Sequence, residues 1–186
     1  MPVRMKTQAL DLDWLTENLA IGGSFPGHAA GRLAREHEIT RVVDLREEDC
    51  DEVVSLRRHG IRHLHLPTPD VHAISPADLA RGVAWVAGAI AARRKVLIHC
   101  QHGIGRSALL AMCVLVDAGV PPLQTMLLAK DAREIVSPSP AQLAAFILFA
   151  GQRRPATASW VVPTFEDLAV IAYRHLQPAV VGGGSR

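Results

Sequence analysis

The chain has 186 residues, 49% of them hydrophobic and 20% charged, the mix of one ordinary globular domain and not of a disordered, collagenous or low-complexity protein. Lys and Arg total 20 against 18 Asp and Glu, a net charge of +2, too weak a field to gather nucleic acid or an anionic membrane, so an anion site has to be local. Three cysteines, Cys50, Cys100 and Cys113, form neither a disulfide framework nor a zinc pattern and point to a reducing, cytoplasmic compartment.

In chain order, residues 1–8 lack the apolar stretch of a signal peptide. Residues 18–21 are a short apolar strand stopped by Gly22-Gly23, and 27–38 carry a helix-like spread of Ala, Leu and charge. A β-branched strand over 41–45 is followed by a helix over 51–59 that ends on Gly60. The next strand covers 61–66, then Pro67-Thr68-Pro69-Asp70 reads as a loop, and Ser75-Pro76-Ala77-Asp78 supplies an N-cap, a proline at N1 and an acid at N3 for a helix to about residue 92. Lys95-Val96-Leu97-Ile98-His99 is the continuous apolar run of a strand buried on both faces. Helices are then predicted over 107–118, 122–132 and 140–150, the last capped by Ser139 with Gln142 at N3. The longest charge-free apolar segments, 82–92 and 108–116, fall short of the ~20 residues that span a bilayer. The predicted fold class is α/β, a central mostly parallel sheet flanked by helices, with a helical second half. Ligands of such folds sit beyond the carboxyl ends of the strands.

Cys100 lies at such an end. His99-Cys100-Gln101-His102-Gly103-Ile104-Gly105-Arg106-Ser107 joins the buried strand to the next helix. Two glycines allow the backbone amides of Gln101, His102, Gly103, Ile104 and Gly105 to turn inward as a nest, and the helix N-terminus adds its dipole, so the loop suits a tetrahedral oxyanion. Arg106 clamps such an anion bidentately. Helix N-termini and arginines favour the thiolate form of a cysteine, which makes Cys100 the candidate nucleophile. A phosphate in front of that sulfur is arranged for in-line phosphoryl transfer, chemistry that calls for no metal and no cofactor. Asp70, in a loop at the same end of the sheet, is the candidate acid for the leaving oxygen, with Asp44 as a competitor that also ends a strand. Ser107 is placed to hydrogen-bond the cysteine sulfur.

The segment Cys100-x5-Arg106-Ser107 after His99 resembles the phosphate-binding signature of the cysteine-dependent protein tyrosine phosphatases, and within them the compact dual-specificity branch. The resemblance takes in Asp70 in its Pro-rich loop, Leu19-Ala20-Ile21-Gly22, the strand over 41–45 and the helical second half, about residues 13–151. It implies a phosphocysteine on Cys100, phosphate clamping by Arg106, Asp70 as acid and then base, and assistance by Ser107. Gln142 resembles a glutamine that places the hydrolytic water in some branches, and it also reads as the capping-box partner of Ser139.

On this reading residues 1–151 form the catalytic domain, and 152–186 an extension with one helix over 163–176 and a disordered tail. The expected substrate is a phosphorylated protein, on tyrosine and also on serine or threonine. An inositol phosphate, a phosphoinositide or an RNA 5′-phosphate is the alternative, disfavoured by the absence of lysine in the 101–105 loop and by the near-neutral charge. No nucleic-acid partner is expected and the oligomeric state is open. A rhodanese-like sulfurtransferase and a non-catalytic phosphate-binding module are further rivals. Cys50, in the run Glu47-Glu48-Asp49-Cys50-Asp51-Glu52, is a candidate redox partner of Cys100, although that acidic run reads mainly as a solvated face. Cys113 reads as helix core, and His63 and His65 as alternating strand positions.

Overall fold

The computed structural model describes residues 9–176. The expectations for residues 1–8 and for the glycine-rich tail lie outside the described residues. Five strands form one sheet in the order β1-β2-β5-β3-β4: β1 (Leu12–Trp14), β2 (Leu19–Gly22), β3 (Ile39–Arg46), β4 (Arg62–Thr68) and β5 (Lys95–His99). β5 lies between β2 and β3 and runs parallel to both, β4 extends the parallel set, and β1 returns antiparallel along β2.

Inside the central strands the side chains alternate between two cores, as a period of two requires. Leu19, Ile21, Val43, Leu45, Val96 and Ile98 face one layer, and Ala20, Val42 and Leu97 face the other. The smaller layer holds α1 (Ala30–Glu36) and α2 (Val53–Arg58), whose buried Leu33 and Leu56 cover the sheet. The larger layer holds α3 (Pro76–Ala91), α4 (Arg106–Asp117), α5 (Pro122–Ala132), α6 (Pro140–Arg153) and α7 (Phe165–Ala172). α4 is apolar all round, with every residue from Ala108 to Val116 buried, because it runs through the middle of that layer.

The capping signals act as the sequence predicts. Ser75 Oγ accepts from Asp78 N, and Ser139 with Gln142 forms a complete capping box. Three features differ from the sequence reading. β1 was not foreseen. Residues 27–38 begin with a 3-10 turn, Gly27–Ala29, before α1. Pro67 and Thr68 belong to β4 and not to the following loop, and a proline is tolerated there because β4 is an edge strand with an unpaired side. After α6, residues 154–164 form a connection to α7 and a 3-10 turn, Arg174–Leu176. Leu168 and Ala172 of α7 are fully buried in the larger core.

Parallel strands deliver their carboxyl ends to one edge of the sheet. The segments after β3 (47–52), β4 (69–75) and β5 (100–105) therefore meet above it, and the active-site candidates lie in these segments and beside them.

Candidate active site

Residues 100–105 join β5 to α4. Each carbonyl from Gln101 to Gly105 is taken by a donor outside the loop. Ser24 N–H donates to Gln101 O (3.1 Å), Ser137 N–H to Ile104 O (3.0 Å) and Leu109 N–H to Gly105 O (2.9 Å). Arg133 Nε–H donates to Gly103 O (3.0 Å), and its terminal nitrogen to His102 O (2.9 Å). In a trans peptide the N–H points opposite to the C=O, so carbonyls drawn outward turn the amides of residues 102–106 inward. Gly103 permits this with φ 67°; a Cβ there would meet the backbone of Gly22. The nest inferred from the two glycines thus has an outer scaffold. Arg133 is itself held by Asp11 (2.7 Å) and Asp13 (2.8 Å) of the β1 region.

Cys100 Sγ is buried and lies 3.6 Å from Ser107 Oγ in the first turn of α4. Arg106, the first residue of α4, is 1% exposed. Its two terminal nitrogens hold both oxygens of Glu48 at 2.8 and 2.7 Å. One of them also donates to Thr68 O at 2.8 Å, and the other lies 3.3 Å from Asp70 Oδ1. Among the described residues Arg106 Nε has no hydrogen-bond partner despite its burial. Burial opposes the Arg106 charge, but Glu48, Cys100 and Asp70 outweigh it and hold the guanidinium above its ordinary pKa. The hydrogen bonds from Arg106 draw the Glu48 carboxyl down to about 2.

A cavity of about 180 Å³ opens between the Cys100 loop, the Asp70 loop and the start of α6; Cys100, Asp70, Val71, Ile104, Gly105 and Gln142 are among its lining. His102 is exposed beside it. Gln142 is 1% exposed. Its Oε1 accepts from Ser139 N–H (2.8 Å) and its Nε2 donates to His72 O (3.0 Å). Cys100, Asp70 and Gln142 line this cavity; Ser107 and Arg106 do not, and reach it through their contacts with Cys100 and Asp70.

Behind the loop the sequence reading is corrected. The run 47–52 is exposed at every residue but Asp51, as a solvated face should be, yet two of its acids also turn inward to partners. Glu48 holds Arg106, and Asp51 is buried, accepting from Arg46 (2.8 Å) and pairing with His99 Nε2 (2.8 Å). His99 is fully buried, its Nδ1 3.4 Å from Cys100 O. Asp44, the competitor for the acid role, is fully buried inside β3 with both oxygens on Arg46, which leaves it without access to the cavity. Burial works against its charge, and Arg46 and His99 prevail, lowering its pKa. Asp44, Asp51 and His99 stand within 4.8 Å of one another, as do Asp44, Cys50 and His63. That spacing would suit a cation, and the Arg46 guanidinium supplies the positive charge there. Cys50 is exposed, and Cys113 is fully buried, its thiol pKa pushed well up by burial.

Glu48 and Arg133 are the residues that sequence reasoning missed. The signal for Glu48 was its place after a strand ending at the same sheet edge as Asp70. Arg133 left none, since its partners are distant carbonyls and acids.

A buried cysteine, a buried arginine and an aspartate meet over a strand-loop-helix turn, the arrangement expected of a cysteine-dependent phosphatase. Residues 23–152 match the family described as dual specificity phosphatase, catalytic domain, and the chain belongs to that family. Solved structures share the fold. PTPMT1 aligns with a TM-score of 0.71 at 21% identity, covering 76% of this chain and 95% of that one. PTP-2 phosphatase from Cydia pomonella aligns with a TM-score of 0.64 at 24% identity over 77% and 90%. Human DUSP28 aligns with a TM-score of 0.65 at 19% identity over 78% and 96%. A search of curated proteins finds no match. The enzyme is a phosphatase of the cysteine-dependent class, and the sulfurtransferase and binding-module readings give way to it. Among the described residues no helix is long and apolar enough to cross a membrane.

Proposed function

We propose that this phosphatase hydrolyses phosphate monoesters through a phosphocysteine on Cys100, with protein phosphotyrosine, and also phosphoserine or phosphothreonine, as its substrate class. The observation that supports the site assignment is that Cys100 and Asp70 line one cavity while Ser107 Oγ lies beside Cys100 Sγ and Arg106 beside Asp70. Inward amides of residues 102–106 bind the phosphate oxygens, and Arg106 adds its unpartnered Nε–H, with Glu48 fixing the guanidinium plane. The Cys100 thiolate attacks phosphorus, the S–P bond forms as the P–O bond to the leaving group breaks, and Asp70 gives its proton to the departing oxygen. Water then attacks the phosphocysteine, the Asp70 carboxylate takes a proton from it, and the thiolate leaves with a hydrogen bond from Ser107.

The cavity lining includes no lysine and no arginine. With Arg106 as the cation of the phosphate site, it suits a single phosphate on a neutral carrier. PTPMT1 has been solved in complex with PI(5)P, so a phosphoinositide is the competing class, and an inositol phosphate or RNA 5′-phosphate belongs with it. A mechanism that depends on a reduced Cys100 fits a cytoplasmic setting.

The test is hydrolysis of an aryl phosphate by wild type and Cys100→Ser with chelator and reductant present, followed by phosphopeptides, inositol phosphates, phosphoinositides and 5′-phosphorylated RNA. Turnover by wild type alone, fastest on phosphotyrosine peptides, is the expected result. Substantial activity in Cys100→Ser refutes the nucleophile, and a preference for a non-protein substrate refutes the protein class.

A further inference from the structure

The loop that carries Asp70 sits in a conformation it would not choose by itself. Val71 has φ 58°, the left-handed region in which a β-branched residue is a true outlier and its backbone is strained. The Val71 side chain is 61% exposed and Asp70 and His72 are also exposed, so burial of their own side chains does not retain the strained turn. The turn has internal bonds, His72 N–H to Pro69 O (3.2 Å) and His72 Nδ1 to Asp70 O (2.8 Å), and hydrogen bonds from the start of α6 tie its carbonyls to the rest of the fold. Ser139 Oγ–H donates to Val71 O at 2.6 Å, and Gln142 Nε2–H donates to His72 O at 3.0 Å.

The two donors are fixed by each other. Ser139 Oγ accepts from Gln142 N–H (3.3 Å), and Gln142 Oε1 accepts from Ser139 N–H (2.8 Å). Once the helix end is capped, one hydroxyl proton and the side-chain amide of Gln142 remain, and the structure spends them on the two carbonyls that follow Asp70. With Oε1 and Nε2 engaged in this way, Gln142 is bound to the acid loop as well as to its own helix.

We infer that Ser139 and Gln142 are positioning residues for Asp70, the start of α6 latching the acid loop over Cys100 so that Val71 cannot relax. This rests on the reading of Asp70 as general acid. Breaking the latch therefore impairs protonation of the leaving group and leaves phosphate binding by the 100–106 loop intact.

The test compares kcat/KM for phenyl phosphate, a poor leaving group, and 2,4-dinitrophenyl phosphate, a good one, with inhibition by inorganic phosphate as the measure of anion binding. Ser139→Asp keeps an acceptor for the Gln142 N–H yet, ionised, has no proton for Val71 O; Ser139→Thr keeps both functions. A positioned acid contributes on the order of 10²–10⁴ in rate. Ser139→Asp should lose roughly tenfold or more of that on phenyl phosphate, with changes under about threefold on the dinitrophenyl ester and in phosphate inhibition, and Ser139→Thr should match wild type. Ser139→Ala carries the same expectation and serves if the aspartate variant does not fold. Equal losses on both esters, no loss on either, or a loss of phosphate inhibition would each overturn the latch. Asp70→Asn separates the two readings. If it too slows both esters equally, Asp70 is not the acid and the latch falls with it; if it slows phenyl phosphate selectively while Ser139→Asp and Ser139→Ala do not, the latch alone is refuted.

Discussion

Arg106 is aimed by side chains far from it in sequence. Its guanidinium is buried, so every donor that lacks a partner carries a desolvation cost, and Glu48 satisfies two of its nitrogens at once. A charged hydrogen bond contributes about 1.5–3 kcal/mol, and each ~1.4 kcal/mol is a factor of ten. Glu48→Ala should therefore lower kcat/KM for an aryl phosphate by about tenfold to a hundredfold, because the clamp no longer holds one plane. Steady-state kinetics with phosphate as competitive inhibitor checks this, and an unchanged kcat/KM would show that the cavity alone orients Arg106. The carboxyl of Glu48 titrates at about 2 in the fold against 4.5 outside it. Stability from the pair is thus fully present above 4.5 and lost as pH falls through about 2, so Glu48 adds no titration to a pH profile near neutrality.

At the scale of elements, the Cys100 loop depends on a strand and a helix end that are not part of it. Arg133, just beyond α5, draws Gly103 O and His102 O outward and is braced by Asp13 of β1 and by Asp11 just before it. Arg133→Met removes both donors, and the exposed carboxylates simply rehydrate. Inhibition by inorganic phosphate should weaken roughly tenfold, the worth of one or two hydrogen bonds, and retention of wild-type inhibition would refute the scaffold. These dependences mark where sequence reading stops. The capping runs at Ser75 and Ser139, the buried strand 95–99 and the loop 100–107 were legible because their signals are local in sequence. β1 was not, since three half-buried residues carry no periodicity, and its use becomes visible only when Arg133 arrives from the other end of the chain. The acidic run 47–52 was read only in part for a similar reason: it is exposed as expected except at Asp51, but the partners of Glu48 and Asp51 were hidden. Composition reports charge, and only the parallel order β5-β3-β4 shows that the segment after β3 faces Arg106 and His99.

For the whole molecule the question is how far the cooperative unit extends beyond the family match at residue 152. α7 buries Leu168 and Ala172 completely. Lys130, also fully buried, donates to Ala172 O at 2.7 Å, Val136 O at 2.8 Å and His175 Nδ1 at 2.6 Å, and Tyr173 Oη–H donates to Pro138 O at 2.7 Å. The segment so tied, 136–139, leads directly to Ser139 and contacts the Cys100 loop through Ser137 N–H. A chain ending at residue 162 would uncover Leu168's site, worth about 1.5–3 kcal/mol, and leave a buried ammonium under-satisfied by removing two of its three partners, worth about 1–3 kcal/mol. In a chain of this size ~1 kcal/mol moves Tm by roughly 2–4 °C, so the truncated protein should melt about 5–24 °C lower than the full chain. Lys130→Met in the truncated chain should recover part of that loss, because it removes the under-satisfied charge while filling the same space. A melting temperature within about 2 °C of the full chain would mean that α7 rests on the catalytic domain without belonging to its folding unit.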